Sequence, residues 1–157
     1  MAIKDVVVHL DQDGRTAVRL ALATALARQH GARLVGIFAQ RGHARKVGVV
    51  SVWPSEEFTL ACDTSKAQFE AATAGLADSE WRFVNRGGEA EVVRQFVDLA
   101  RHTDLVVLGQ YEHGKDFVPE ELVSEVVIGC GRPVLVVPYI GDFAEVGKFP
   151  LIAWNNA

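Results

Sequence analysis

Two five-residue runs, Asp104–Leu108 and Pro133–Val137, constrain the fold more than any other feature of this chain, because both are almost wholly β-branched or leucine. Neither shows the alternation that leaves one side of a strand to water, so both are predicted to be strands buried on both faces, as in a parallel sheet. Between them Leu122, Val123, Val126 and Val127 recur at helical spacing, with Pro119 placed to start a helix and Gly129 or Gly131 to end it. Strand, glycine turn, helix and parallel strand make a βαβ unit. Gly109, at the end of its first strand, marks the carboxyl edge of the sheet, where open α/β folds hold their ligands.

The rest of the chain repeats this alternation. Val6–Leu10 is predicted to be a first buried strand, left by the turn Asp11–Gly14, in which Asp11 or Asp13 can accept hydrogen bonds from free N–H groups of the next helix. That helix spans Arg15 to His30 and ends at Gly31; Val18, Ala21, Leu22, Ala25 and Leu26 fall on one face, and Arg19 and Arg28 on another. Arg33–Ala39 reads as a second strand. The segment Gln40–Trp53 reads as a solvated loop whose Arg41, His43, Arg45 and Lys46 could present cations to an anion. From Ser55 to Leu76, Phe58, Cys62, Phe69, Ala72 and Leu76 keep helical intervals behind a start at Pro54–Glu57. Glu80–Asn85 is short and flanked by charge, as an edge strand is. Gly87 and Gly88 precede a helical stripe of Val92, Val93, Phe96, Val97 and Ala100, and either hold an anion on bare N–H groups or form a plain tight turn.

A chain of 157 residues is of one-domain length. Its net charge of −4 argues against general nucleic-acid binding, which needs a basic face. Cys62 and Cys130 lie far apart within apolar helical patterns, as small core residues do. No signal-peptide pattern and no long apolar span is present, which predicts a cytoplasmic protein without membrane contact. Dinucleotide, Walker and nucleophile-elbow motifs are missing, and the five histidines show no paired metal spacing, so no catalytic residue and no metal site is assigned.

The order of these elements, from V-V-V-H-L-D at Val6–Asp11 to Asp104–Gly109 and Arg132–Val137, resembles the universal stress protein family over roughly Ile3 to Tyr139. The resemblance implies a three-layer α/β/α, Rossmann-like domain over residues 1–139, of the adenine nucleotide alpha hydrolase-like type. Its five-stranded parallel sheet would have the order 3-2-1-4-5. An adenine nucleotide, ATP or AMP, is the implied ligand, with Asp11 against the adenosine and Ala39, Gly109, Gly114, Lys115 and Ser124 completing the site. A homodimer through the fifth strand and the tail is the implied assembly. The tail, residues 140–157, resembles the first strand of another such domain, with Ile152–Asn155 standing where Val7–Leu10 stand, which implies the N-terminal domain of a tandem member.

The family's phosphate motif, G-x-x-G-x9-G-[ST], is not intact. Counted from Gly109, its second glycine falls on Glu112 and its final pair on Leu122 and Val123; counted from Gly114, the end falls on Ser124 and Glu125. Glu120 and Glu121 occupy the start of the helix, where each would oppose a phosphate by roughly 1 kcal/mol or more. Two readings stay open: a stress-response domain with a degenerate nucleotide site, and an ATP or AMP binder with slow hydrolysis.

Overall fold

The structure is a computed structural model that describes residues 2–143, 146–147 and 150–153. Strands β1 (Asp5–Leu10), β2 (Arg33–Phe38), β5 (Ser79–Phe83), β6 (Leu105–Gly109) and β7 (Val134–Val137) form one parallel sheet in the order β5-β2-β1-β6-β7. This is the expected 3-2-1-4-5 arrangement. Helices α1 (Thr16–His30) and α2 (Glu56–Thr73) cover one face, and α3 (Glu89–Ala100) and α4 (Leu122–Gly129) the other. The central strands explain why their sequences do not alternate in polarity. Val6, Val8 and Leu10 enter the core under α1 and α2, while Val7 packs with Phe96 of α3, so both faces of β1 demand apolar side chains.

Local chemistry sets the element ends. Ser55 caps α2 by accepting the Phe58 N–H at 3.2 Å, and Gly31 closes α1 with a φ of 60°. Gly36 sits mid-strand in β2 because a Cβ there would come within 2.5 Å of the Phe69 ring, so the glycine lets α2 lie directly on the sheet. Gly87 has a comparable role. A Cβ there would overlap the Gly42 carbonyl oxygen and Trp53, which identifies a close backbone approach rather than an open anion nest.

Three expectations are corrected. The Gln40–Trp53 segment is not wholly loop: β3 (Arg45–Val47) and β4 (Val50–Val52) pair as an antiparallel hairpin, and the cations Arg41 and Arg45 are paired with Glu89 and Glu56. Strand β7 is not buried on both faces. It is the outer strand, with Val136 36% exposed, because among the described residues no further strand or helix covers that side. On α1, Ala21 is exposed and Arg19 is buried, the reverse of the expected faces; Thr16, Leu20, Ala23 and Ala27 turn inward with Arg19.

Tail residues Pro150 to Ala153 are exposed and in no regular element, while Trp154 and Asn155, part of the expected second-domain strand, lie outside the described residues. Among the described residues no helix is long and apolar enough to cross a membrane.

Candidate functional site

The crevice that a doubly wound sheet opens at its carboxyl edge falls here between β1 and β6, where the crossovers change face. Asp11 follows β1 and Gly109 ends β6. Thr16 and Arg19 reach this point from the first turn of α1, since positions three apart on a helix share a face.

Asp11 is the centre of a buried ionic cluster. Its carboxylate accepts the Arg19 Nη2–H at 2.6 Å, the Thr16 hydroxyl at 2.6 Å and the Asp13 backbone N–H at 2.8 Å. Arg19 also donates from Nε to the His9 carbonyl at 3.2 Å. Both partners are almost excluded from solvent, with Asp11 4% and Arg19 5% exposed. Burial alone would push the Asp11 carboxyl up, but the Arg19 guanidinium, His9 and the Thr16 hydroxyl together hold it below the ordinary carboxylate value. His9 lies beneath, its Nε2 2.7 Å from the Ala39 carbonyl oxygen and its ring edge-on to Phe96. Burial and the neighbouring Arg19 push its pKa down despite Asp11, so the imidazole is neutral and donates Nε2–H to Ala39.

The guanidinium of Arg19 occupies the space over Gly109, where a Cβ would overlap it. A volume of about 10 Å³ remains between Gly109, Arg15, Arg19 and Glu112, room for about one water molecule and no more. Lys115 stands at the rim with its Nζ 3.3 Å from Asp13 and 3.7 Å from Glu112, and these partners push its pKa up. Arg15 donates to the Pro138 carbonyl at 3.0 Å and to the Gly141 carbonyl, tying the chain after β7 across the same edge. Beside β2 a separate cavity of about 190 Å³ opens among Gln12, Gln40, Arg41, Phe58 and Phe117.

The structure thus brings Asp11, Gly109 and, through Asp13, Lys115 around one point, with Ala39 buried at its floor. Gly114 lies in the turn before Lys115 with a φ of 87°. Ser124 is not drawn in: it is exposed on α4, and its hydroxyl donates to the Glu121 carbonyl at 3.0 Å. Glu120 and Glu121 form the turn just ahead of α4 rather than its first helical residues. Sequence reasoning missed Arg19, Thr16 and His9. The signal for Arg19 was present, since it stands four and seven positions before Ala23 and Leu26, yet its charge argued for the opposite face.

No family model matches the chain, and no curated protein matches it. Solved structures do. A universal stress protein from Archaeoglobus fulgidus is 17% identical and superposes with a TM-score of 0.60 over 87% of this chain and 94% of that one. The structure of the universal stress protein from that organism in complex with dAMP is 20% identical, with a TM-score of 0.61 over 87% and 98% of the two chains. A universal stress protein in complex with cAMP, also 20% identical, gives 0.57 over 87% and 98%. The chain is therefore an α/β domain of the Rossmann-like class. Within that class its fold is that of the universal stress proteins.

Proposed function

We propose that this chain is a universal stress protein domain that works by ligand binding and self-association, without catalysis, and that its nucleotide site is degenerate. The observation that carries this reading is the Arg19 guanidinium over Gly109: the place a phosphate chain would occupy is filled by a cation already neutralised by Asp11. Admitting a phosphate there means breaking a buried ion pair, which costs on the order of 3–5 kcal/mol when one partner is left unpaired. Equilibrium binding of labelled ATP, AMP and adenosine to the purified chain tests the proposal. ATP is expected to bind weakly or not at all, and sub-micromolar ATP affinity would overturn it.

The alternative, an ATP or AMP binder with slow hydrolysis, has two observations in its favour. The cavity of about 190 Å³ beside Gln40 lies at the carboxyl edge next to Ala39, and two proteins of the same fold are complexes with adenine nucleotides. Tight AMP binding with no gain from further phosphates would favour a nucleoside-monophosphate reading of that cavity.

Self-association is proposed through the outer edge of β7. Val136, Tyr139 and Ile140 are 36%, 40% and 72% exposed there, and unpaired strand edges are association sites. The tail is proposed to be the start of another copy of the domain that, in this chain, docks on the partner subunit; Leu151 and Ile152 are 93% and 86% exposed.

A further inference from the structure

On the far side of the Asp11–Gly14 turn, α1 and α2 diverge and leave a groove of about 330 Å³. Its α2 wall is a single stripe, Glu57, Leu60, Ala61, Thr64, Ser65 and Gln68, so it runs eleven residues along the helix, roughly 16 Å at a rise of 1.5 Å per residue. The opposite wall is kept low by Gly14 and Ala17. Ser65 is only 3% exposed, yet its buried Oγ has no hydrogen-bond partner among the described residues. A hydroxyl held out of water and left unsatisfied costs about 1–3 kcal/mol, a cost that a ligand atom reaching it removes.

The charge of the groove selects the ligand. Asp11, Asp13 and Glu57 line it, and among the described residues no lysine or arginine does. Arg19 offsets Asp11 and Lys115 offsets Asp13 from outside, whereas Glu57 has no cation within ion-pair distance among the described residues. An anion is repelled here, although the groove shares Gln12 and Glu57 with the cavity beside β2. Between the polar ends, Ala17, Leu60 and Ala61 offer apolar surface suited to methylenes.

We propose that the α1–α2 groove binds a linear aliphatic polyamine, with one ammonium on the Glu57 carboxylate, another donating to the Ser65 hydroxyl, and the carbon chain along Ala17, Leu60 and Ala61. Length, charge and the orphaned acceptor all select an extended cation. Neither an anion nor a compact ligand meets all three.

Calorimetric titration of the full chain with spermidine at low ionic strength tests this. One-to-one binding is expected, weakened by about tenfold or more in Ala17→Leu, which fills the groove from an exposed helix position, and by about five- to tenfold in Glu57→Gln. Ser65→Ala should lose about threefold, and Glu125→Gln, on the opposite face of the sheet, should lose nothing. Tetraethylene glycol, neutral and of similar length, should not bind. The proposal is overturned by an absence of spermidine binding or by equal affinity in wild type, Ala17→Leu and Glu57→Gln. It also falls if Glu125→Gln weakens binding as much as Glu57→Gln, which marks diffuse counter-ion attraction, or if the glycol binds as well as the amine, which marks a neutral polyol site.

Discussion

At the scale of single residues, the buried Asp11–Arg19 pair governs both stability and access to the carboxyl edge. Arg19→Met removes the guanidinium and leaves a carboxylate in an apolar surround, so it should destabilise the fold by about 3–5 kcal/mol in urea unfolding. The double variant Asp11→Asn, Arg19→Met should recover part of that loss, because the remaining amide need not be charged. His9 adds a pH dependence. Burial holds its pKa below the ordinary imidazole value of 6.5, so the unfolded chain takes up the proton first. Its contribution is therefore complete above that pH and declines as pH falls below it, with a limiting slope of about 1.4 kcal/mol per pH unit. Asp11, whose folded pKa is also depressed, extends the loss in the same direction below the ordinary carboxylate range. Stability measured from pH 8 down to pH 5 should fall in the wild type and stay flatter in His9→Gln.

At the scale of elements, the Gly87–Gly88 pair separates a packing role from a capping role. Gly87 is pressed against the Gly42 backbone and Trp53, so Gly87→Ala should cost about 1–3 kcal/mol through overpacking, read as a lower urea midpoint. Gly88 has open space around its Cα and the extended φ of −72° and ψ of 137° of an N-cap. Serine there can accept an N–H from the first turn of α3, so Gly88→Ser should stabilise by a few tenths of a kcal/mol. The two substitutions, one residue apart, are expected to have opposite signs. If both destabilised equally, the pair would be a turn that tolerates no side chain at either position.

At the scale of the whole molecule, the five-stranded sheet ends in two unlike edges. The β5 edge carries the charged pair Glu80 and Arg82, with Arg33 reaching Glu80 from β2, and these charges discourage pairing with another strand. The β7 edge carries apolar Val136 beside Tyr139 and Ile140, with exposed Val127 and Ile128 on α4 close in sequence before it. Association should therefore use β7. A charge at its centre, Val136→Lys, is expected to shift sedimentation equilibrium towards monomer with little change in unfolding midpoint at low concentration. Truncation after Tyr139 should weaken the dimer as well; unchanged association in both variants would place the interface elsewhere.

Periodicity and end signals act within one element, and for that reason the sequence alone determined the succession of the five sheet strands and four helices, the start of α2 within Pro54–Glu57, the closure of α1 at Gly31 and the parallel sheet implied by runs such as Leu105–Leu108. The edge position of β5 was legible too, because charge and short length mark a strand that meets water. Only the tertiary structure decided that Arg19 points inward, that Gly109 lies beneath its guanidinium, that Val136 of β7 is left partly exposed and that β3 and β4 pair. Each of these depends on what another element brings to the same place. A charge is buried only if a distant segment supplies its counter-charge, and a strand is an edge only when nothing else in the chain reaches its free side.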